Sequence, residues 1–501
     1  MSRKNWDKDV NRIQVTELFG IERHRHFQLL ANLERRTLYH SVLLGAVLLL
    51  AGALRLSRLG EWSFWIDEIY SLQAAQTTLT SERLLPSIST LLMGAAIRSF
   101  GVSEWSLRLA PALVGVASLP ILYFLVRQLF DRHVALIATL LLAISPWHLY
   151  WSQTARFYTT LLLLYLAALI TFFWGVEQGN RRFLIISLIL LGLAIQERLF
   201  ALFFIPVVIC YVILLNVLPF EKRLVFPSRK ILVAVAVPLL VFVLYDTFNV
   251  VAGRDSVLSS FLVKFVGNPN KSSFRFLASF VYRLGIPILC LGTVGGFYLI
   301  GKREAIGLYL LTSAILPPLL LTLSAPFIFT ADRYTFITLP GWIILSAVAI
   351  KTFLYQSSQY GRILALALPL IVTSDALAQN VLYYQYQNGG RANWKKAYEL
   401  IQMQQVEGDV VFASRPEIGT YYLGRGVQRI ETVDLDAVAQ PGRRTWFVVN
   451  SEEVDAHVQQ WIKNNGELIE VFDVTIPGNV YSLRLYLYDP VTKHTESLQR
   501  T

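Results

Sequence analysis

About eleven long apolar segments recur along this chain, and they constrain its fold more strongly than any other feature. A helix needs about 20 mainly apolar residues to cross the hydrocarbon core of a bilayer. Of the 501 residues, 54% are hydrophobic and only 16% are charged, which is outside the range of soluble globular proteins. The pattern predicts a mainly α, polytopic membrane protein with about eleven transmembrane helices, at Leu38–Leu56, Leu109–Val126, Val134–Trp151, Tyr158–Val176, Phe183–Ile195, Leu199–Leu218, Ile231–Val250, Leu284–Ile300, Ala305–Ala325, Phe336–Phe353 and Ile363–Tyr383.

The basic residues indicate which side of the membrane each loop faces. The formal net charge is +11, but Lys and Arg form short clusters between apolar segments, and no nucleic-acid-binding motif accompanies them. They occupy every second loop, counting residues 1–37 as the first, and cytoplasmic loops are the ones enriched in Lys and Arg. We therefore expect a multi-pass protein with a cytoplasmic N-terminus, an uncleaved first anchor and no nucleic-acid partner. The basic loops contain Arg127 and Arg132, Arg181 and Arg182, Lys222 with Arg223, Arg229 and Lys230, Lys302 and Arg303, and Lys351 and Arg362.

The composition changes after the last apolar segment. Short strand-like runs alternate there with helical stretches, which is typical of a small α/β domain. An odd number of spans places this domain on the side opposite to the N-terminus. The sequence thus predicts a basic tail at 1–37, a transmembrane domain at 38–385 with a first outer loop at 57–108, and an extracytoplasmic α/β domain at 386–501. The predicted elements are helices at Ala392–Gln405 and Glu452–Asn464 and strands at Asp409–Ala413, Thr445–Asn450, Leu468–Val474 and Val480–Tyr488.

Two adjacent carboxylates, Asp67 and Glu68, lie in the first outer loop just beyond the first apolar segment. A carboxylate beside a bilayer is costly to desolvate, so a pair flanked by aromatic rings is expected in a cavity or a wet interfacial pocket. One interpretation is a solvated acidic turn among interfacial aromatic residues. The other is a catalytic base, a metal ligand or both, since a carboxylate in a basic, partly desolvated pocket can accept a proton from an incoming hydroxyl or amine.

Two further outer loops place cations at the ends of spans. Arg156 ends a turn that begins at Ser145 and suits a phosphate or pyrophosphate, although an arginine that snorkels to lipid headgroups has the same signature. Arg333, at the mouth of a later span, is open to the same two interpretations. With Arg156, Arg198 and Lys264 it would form a cationic cluster for a lipid-linked phosphate.

Two other polar residues in these loops have simpler explanations. His148, in the same turn as Arg156, is more typical of a hydrogen-bonding interfacial residue than of a metal ligand. Glu197 and the adjacent Arg198 are equally well explained as an internal ion pair. The residues predicted to line a substrate pocket are His148 and the aromatic residues Trp65, Tyr70, Tyr158 and Tyr334.

The order of these motifs resembles that of the C-type (GT-C) membrane glycosyltransferases, in the branch of protein O-mannosyltransferases and aminoarabinose lipid A transferases. It runs from the outer Asp-Glu pair through Ser106–Gly115 and the turn Ser145–Tyr158 to Arg333-Tyr334 and Leu339-Pro340. The resemblance covers about residues 40–385, and the trailing α/β domain is similar to those of many bacterial members.

This resemblance implies an inverting transferase of the bacterial inner or plasma membrane. It would move a hexose or pentose from a polyprenyl-phosphate donor to an extracytoplasmic lipid, glycan or protein. Asp67 then matches the essential acid and Glu68 its companion, with Arg156 and Arg333 near the donor phosphate. Many relatives carry His-Pro-Pro-Leu where this chain has Leu85-Pro86-Ser87-Ile88, so a divalent cation at the acidic pair stays open and no other cofactor is predicted.

Two other functions use the same cavity and cations without chemistry. One is a flippase or transporter of lipid-linked saccharides, and the other is an inert assembly subunit. Transporters tend to show pseudo-repeated halves with broken helices in matching positions, and the sequence shows no such symmetry. The predicted outer domain also argues against a transporter.

Overall fold

The structure, a computed structural model, describes residues 38–79, 86–220, 229–251, 272–355, 359–386, 388–438, 443–450, 454–473 and 482–490. The predicted basic tail 1–37 and the predicted basic residues Lys222 and Arg223 lie outside these ranges. By its internal contacts the chain divides into two units, Met1–Gly52 and Ala53–Thr501. The site described below belongs entirely to the second unit.

Helices account for most of the described chain, and several begin at a side chain that caps them. Ser87, Ser103, Asp131 and Asn180 each accept a hydrogen bond from a backbone N–H in the first turn of the helix that follows. Ahead of the sheet the α-helices are Leu38–Leu56, Ile66–Leu79, Ile88–Phe100, Glu104–Leu129, Arg132–Ile144, Pro146–Ser152, Tyr158–Glu177, Arg181–Glu197, Phe204–Val217, Arg229–Val251, Ser273–Leu284, Ile286–Gly301, Ala305–Ser324, Leu339–Leu354 and Gln359–Val381.

The predicted apolar segments all fall in helices. By length and composition, six helices among the described residues could cross a membrane, or eight when each of two bent pairs counts as one span. The other three predicted segments lie in Arg181–Glu197, which at 17 residues is short for a span, and in Arg229–Val251 and Gln359–Val381, which have 23 residues each. The predominantly helical membrane fold is therefore confirmed, while the number of eleven spans stays a prediction.

Sharp bends interrupt the helices of two predicted spans. The segment Val134–Trp151 breaks at Ser145, where the helices on either side meet at 61°. Pro146 begins the second helix, and the Ser145 hydroxyl accepts a hydrogen bond from the N–H of His148, so the break is capped. Similarly, Gly285, with φ +87°, joins Ser273–Leu284 to the next helix at 87°.

Side-chain contacts group the loops as the charge pattern predicts. On one side, Lys351 forms an ion pair with Asp131, which joins two loops that were both predicted to be cytoplasmic. On the other side, the predicted outer loops contact one another through pairs such as Arg283 with Asp332, at 3.2 Å between Nε and Oδ2. These two ion pairs agree with the predicted grouping of the loops, and the topology itself stays a prediction.

The C-terminal part contains a five-stranded sheet. Its strands are β1 (Val410–Ala413), β2 (Gln428–Arg429), β3 (Thr445–Asn450), β4 (Glu467–Phe472) and β5 (Leu483–Tyr488), in the spatial order β2-β1-β3-β5-β4. β1 is parallel to β2 and β3, whereas β5 is antiparallel to β3 and β4. Every residue of β3 is buried, which makes it the central strand. The helices are Trp394–Gln404, Pro416–Leu423, Leu435–Val438 and Ala456–Asn465.

Most predicted elements of this region are present with shifted ends. The sequence did not predict the short β2 or the helix Pro416–Leu423, because two and eight residues are too short for a periodic signal to stand out. The predicted strand ends Val474 and Val480 and the predicted helix start Glu452 lie outside the described residues.

The sheet shares a hydrophobic core with the first outer loop. Phe64 and Leu72 from that loop belong to the same buried cluster as Tyr398, Trp446 and Leu485. Hydrogen bonds cross the junction as well, because the Ser63 hydroxyl donates to the Ala392 carbonyl at 2.6 Å and the Phe64 N–H donates to the Tyr422 hydroxyl at 2.7 Å. The C-terminal residues are therefore packed directly against the loop that carries the acidic pair.

The sidedness of the loops can be tested with single cysteines. In a background without Cys210 and Cys290, we expect Glu407→Cys on the C-terminal domain to react with a membrane-impermeant maleimide in intact cells. Glu304→Cys, in a turn predicted to be cytoplasmic, should react only after the cells are permeabilised. Both positions are exposed, so labelling reports their side of the membrane. The reverse pattern would contradict the predicted topology.

Candidate active site

The acidic pair lies in the first turn of the helix Ile66–Leu79, where negative charge is favoured by the helix dipole. Consecutive residues of an α-helix point about 100° apart, so the two carboxylates face different surroundings. Glu68 is completely buried, whereas the Asp67 side chain keeps 27% of its surface exposed. The two neighbours therefore have different environments and different partners.

Glu68 is enclosed by hydrogen-bond donors from three parts of the chain. Arg108 binds it in a bidentate pair, with Nε 2.8 Å from Oε1 and Nη2 2.7 Å from Oε2. The backbone N–H of Ala155 donates to Oε1 at 2.8 Å. Arg391 approaches from the start of the C-terminal region, with Nε 3.6 Å from Oε2. These contacts occupy both oxygens and leave Glu68 no open face.

The two arginines are buried, and most of their other hydrogen bonds are donated to main-chain oxygens. Arg108 donates to the carbonyls of Leu59, Trp62 and Ser63, and Arg391 donates to the carbonyl of Gln153 and to the Thr154 hydroxyl. Each guanidinium therefore fixes loop backbone as well as the carboxylate.

Ionisation of Glu68 is stabilised by this arrangement. Burial alone would raise the pKa of the Glu68 carboxyl, but the charges of Arg108 and Arg391 and the hydrogen bonds lower it below its ordinary value. Burial would likewise lower the pKa of Arg391, and the Glu68 charge raises it instead. The structure thus places Glu68 in a supporting ion network, in place of the direct catalytic or metal-binding position expected from the sequence.

Asp67 faces a cavity and lies beside Arg156. The distance from Oδ2 to Nη2 of Arg156 is 3.8 Å. Nη1 of Arg156 donates to the Asp67 carbonyl at 2.8 Å and to the Ser71 hydroxyl at 3.0 Å, so the first turns of the helix hold the arginine in place. An acid and a cation are consequently held side by side, with Asp67 at the wall of one cavity and Arg156 at the wall of the neighbouring one.

The predicted cationic cluster is present in three of its four members. Arg156, Arg198 and Arg333 each lie within electrostatic reach of Asp67 or Tyr158. The Arg198 guanidinium stacks 4.2 Å from the Phe157 ring centre, and that of Arg333 lies 5.4 Å from the Tyr334 ring centre. The fourth member, Lys264, lies outside the described residues.

Three cavities meet near these residues. The first, here called the Asp67 cavity, has a volume of about 470 Å³ and is lined by Asp67, Tyr70 and Arg333 and by residues of the C-terminal domain. The second, the Glu197 cavity, has a volume of about 450 Å³ and shares Tyr70 with the first. The third, the apolar groove, has a volume of about 500 Å³ and is lined by Leu199, Phe200, Leu202, Phe203, Pro206, Phe242, Leu320, Leu321, Ser324, Ile328, Phe329 and Tyr334.

The residues predicted for the substrate pocket separate into two groups. Trp65 and Tyr70 line the Asp67 cavity, and Tyr334 lines the apolar groove. Tyr158 is buried behind the cavity wall, with its ring centre 3.8 Å from that of Trp151. It contributes to the shape of the wall without lining the described cavities.

His148 is not at the cavity, contrary to the prediction. It is fully buried, and Nη2 of Arg55 lies 2.8 Å from its Nδ1. Because an arginine can only donate, Nδ1 accepts, and Nε2 is left to donate to the Ser118 hydroxyl 3.2 Å away. The bend at Ser145 turns this face of the helix Pro146–Ser152 inward, so the histidine stabilises the bundle.

The acidic pair is the place where the sequence left a divalent cation open. Among the described residues, no group of three or more His, Cys, Asp or Glu side chains could hold a metal ion. Glu68 is buried, whereas Asp67 lines a cavity. The divalent cation that the sequence left open remains untested.

Several residues of the site were not predicted from the sequence. Arg108 was within reach, since it lies in the Ser106–Gly115 motif that contributed to the resemblance. Arg391, Trp394, Arg415 and Asn450 were assigned to the C-terminal domain, and nothing in their local pattern indicates that they line the Asp67 cavity. Arg415 follows β1 and Asn450 is the last residue of β3, and ligands of open α/β sheets bind at the carboxyl ends of parallel strands.

Comparison with known sequences finds a partial family match. Residues 86–245 match the family described as "Dolichyl-phosphate-mannose-protein mannosyltransferase". The "Putative mannosyltransferase YycA" of Bacillus subtilis (strain 168) is 28% identical over 126 residues, which are 25% of this chain. The match spans only 18% of the length of that curated relative.

Solved structures show the same fold over most of the chain. ArnT from Cupriavidus metallidurans in the apo state has a TM-score of 0.62 at 14% identity, with 90% of this chain and 98% of that chain covered. The archaeal oligosaccharyltransferase AglB from Archaeoglobus fulgidus has a TM-score of 0.55 at 14% identity, with 90% and 76% covered. The resemblance to GT-C glycosyltransferases that the motif order predicted is therefore confirmed.

The ion network predicts a large loss of stability for Glu68→Gln. The substitution keeps the shape but leaves Arg108 and Arg391 buried without their counter-charge, which typically costs about 3–5 kcal/mol. The purified protein in detergent should show a clearly lower Tm than wild type. Glu61→Gln is the matched control, because Glu61 forms an exposed pair with Arg58 and such pairs contribute little.

The difference in stability between wild type and Glu68→Gln should depend on pH in a defined direction. The pKa of Glu68 is lower in the folded than in the unfolded protein, so its carboxylate contributes fully to the free energy of unfolding at pH values above the unfolded-state pKa of about 4.3. This contribution declines as the pH falls through the folded-state pKa. Equal Tm values for wild type and Glu68→Gln at neutral pH would contradict the assignment of Glu68 to this network.

Proposed function

We propose that this protein is an inverting glycosyltransferase that moves a sugar from a polyprenyl-phosphate donor to an extracytoplasmic lipid, glycan or protein acceptor. The observation that supports this function is the meeting of an apolar groove with a polar, acid-bearing cavity at two adjacent residues. Tyr334 lines the groove and Arg333 lines the Asp67 cavity, while Phe329 lines both. A lipid-linked phosphate needs an apolar channel for its tail and a cation at the end of that channel for its phosphate.

The apolar groove suits the prenyl tail of the donor. Its lining is almost entirely aliphatic and aromatic, and it is formed by helices that are candidates for membrane spans, Leu199–Val217 and Ala305–Ser324. A branched hydrocarbon chain would replace water or lipid there at little cost. The tail would leave its phosphate at the Arg333 end of the groove.

The cations next to Asp67 suit the phosphate. Arg156 and Arg333 come from two different loops, and both interact electrostatically with Asp67. Guanidinium groups bind phosphate oxygens with directional hydrogen bonds, and negative charge builds up on the phosphate as the sugar departs. The two arginines would therefore stabilise the leaving group, and Arg198 would add to the positive potential.

Asp67 would act on the acceptor. The acceptor oxygen or nitrogen attacks the anomeric carbon from the side opposite to the phosphate, and the carbon–oxygen bond to the phosphate breaks in the same displacement. The acceptor proton passes to the Asp67 carboxylate, and the electron pair of the broken bond leaves with the polyprenyl phosphate. One displacement inverts the anomeric configuration, and the partly exposed carboxylate of Asp67 is open to the cavity.

The acceptor would enter through the Asp67 cavity. This cavity is lined on one side by Trp394, Arg415 and Asn450 of the C-terminal domain. Ring faces such as Trp65 and Trp394 suit a saccharide, and the arginine suits a polar or charged group. The domain would in this way contribute to the choice of acceptor.

The comparisons support the donor class. The family that matches residues 86–245 is named for dolichyl-phosphate-mannose, and the fold is shared with ArnT, which has also been solved bound to undecaprenyl phosphate. The matched AglB structure contains a dolichol-phosphate. These proteins share a polyprenyl or dolichyl phosphate chemistry, which the groove and the arginines of this chain can accommodate.

Asp67→Asn should abolish most of the transfer. We expect the rate of sugar transfer from undecaprenyl-phosphate donors to fall by about 100-fold or more, since the amide cannot accept the proton. The Tm should change little, because the nearest cation to the carboxylate is 3.8 Å away and the side chain is partly exposed. Membranes or purified protein are assayed with mannose, glucose and arabinose donors.

Asp131→Asn is the matched control for this variant. Asp131 pairs with Lys351 away from the cavity, and asparagine also caps helices, so its rate should equal that of wild type. Transfer by Asp67→Asn at the wild-type rate would disprove the role of Asp67. Failure of the wild type to use any polyprenyl-phosphate sugar would disprove the proposed function and favour transport or an assembly role.

The groove gives a separate test of how the donor binds. Leu320→Trp narrows the groove, so we expect it to raise the KM for undecaprenyl-phosphate mannose several-fold while it leaves that for a farnesyl-phosphate mannose nearly unchanged. Arg333→Gln should raise the KM for both donors, since it removes a phosphate contact that does not depend on tail length. Equal effects of Leu320→Trp on both donors would contradict the assignment of the groove.

A further inference from the structure

The Glu197 cavity has no role in the displacement described above, although it borders the same residues. Tyr70 lines both this cavity and the Asp67 cavity. Arg156 lines the Glu197 cavity and places its guanidinium 3.8 Å from the Asp67 carboxylate. A group held in the Glu197 cavity would therefore lie next to both the acid and the phosphate-binding cation.

Glu197 is a buried carboxylate at the wall of this cavity. Its Oε1 accepts a hydrogen bond from the Ser89 N–H at 2.8 Å, and its Oε2 accepts one from the Ser89 hydroxyl at 2.5 Å. Burial raises its pKa above the ordinary value for glutamic acid. Arg198 turns to Phe157 instead, so the expected ion pair between these two neighbours is replaced by the contact with Ser89.

The remaining lining combines hydroxyl and amide groups with ring faces. Ser87 and Thr90, at the start of the helix Ile88–Phe100, and Asn249, in another helix, supply polar groups, and Tyr245 and Phe248 supply aromatic surface. A carboxylate can accept about four hydrogen bonds, and Ser89 uses two of those sites in Glu197. Away from Arg156 and Arg198, which also line the cavity, a ring that has apolar C–H faces and several hydroxyl donors suits this lining better than a phosphate, a peptide or a hydrocarbon chain.

We propose that the Glu197 cavity is the binding site for the sugar of the donor, and that Glu197 selects the sugar by accepting hydrogen bonds from its hydroxyl groups. This inference rests on the proposed function. With the phosphate at Arg156 and Arg333, the ring extends into the cavity and its anomeric carbon stays near Asp67. A sugar that carries a carboxylate at the Glu197 contact is disfavoured, since two like charges would be buried together.

The test of this site needs a measured quantity that would stay the same if Glu197 had a purely structural role. Glu197 also tethers the helix Ile88–Phe100 through Ser89, so a lower rate alone would not separate recognition from support. The discrimination between sugars separates a role in recognition from a role in support. A site that hydrogen-bonds a hydroxyl rejects the analogue without it, whereas a loosened helix slows all donors alike.

The experiment compares kcat/KM for the undecaprenyl-phosphate sugar that wild type uses best with the values for its monodeoxy analogues. For wild type, kcat/KM should be at least about tenfold lower with one analogue than with the complete sugar. Glu197→Gln should reduce this discrimination by about tenfold. Ser89→Ala, which keeps the carboxylate, should retain the discrimination. Asn249→Ala provides a second probe from another helix, expected to change the preference at a different hydroxyl, and Glu304→Gln serves as an exposed Glu-to-Gln control.

The possible results separate the two proposals. If Glu197→Gln and Asn249→Ala slow all analogues by the same factor, or if both leave the wild-type preference intact, the Glu197 cavity does not bind the sugar while the transferase function stands. If wild type transfers no sugar from any polyprenyl-phosphate donor, the proposed function itself fails. A selective loss of discrimination at one hydroxyl supports the assignment.

Discussion

The buried carboxylate of Glu68 is the interaction on which the rest of the site depends. Burying a charge is costly unless its partners replace the lost water. Here Arg108, the Ala155 N–H and Arg391 do so together, and they come from the helix Glu104–Leu129, the turn before Arg156 and the start of the C-terminal region. A single side chain thereby joins segments that are far apart in the chain.

This network also explains why the side chains of two adjacent acids lie in different environments. The helix that begins at Ile66 directs Glu68 into the interior and Asp67 towards the cavity, because neighbouring residues point about 100° apart. The inward residue fixes the backbone of the surrounding loops, and the outward residue keeps an open carboxylate beside Arg156. A buried structural carboxylate and a cavity-lining carboxylate thus occupy consecutive positions.

Part of this arrangement could be predicted from sequence. Apolar segments of span length indicated the helices, and the alternation of basic loops grouped Asp67, Arg156 and Arg333 on one face, where the structure brings them together. The separate fates of Asp67 and Glu68 could not be predicted in this way, because two acids in sequence look alike until their tertiary partners are known.

His148 and Arg391 show the same limit in opposite directions. His148 lies in a polar turn beside Arg156, yet the bend at Ser145 turns it towards Arg55. Arg391 has an unremarkable local context and is nevertheless buried beside Glu68, since its position is set by packing between distant segments. Hydrophobic periodicity reports which residues are buried in one element, and not which elements meet.

The position of Arg391 has a consequence for the biogenesis of the protein. This residue follows the last predicted span, and the C-terminal core is shared with the first outer loop. During synthesis, Glu68 and Arg108 emerge hundreds of residues before their third partner. The ion network around Glu68 can therefore be completed only after the whole chain between Arg108 and Arg391 has been synthesised.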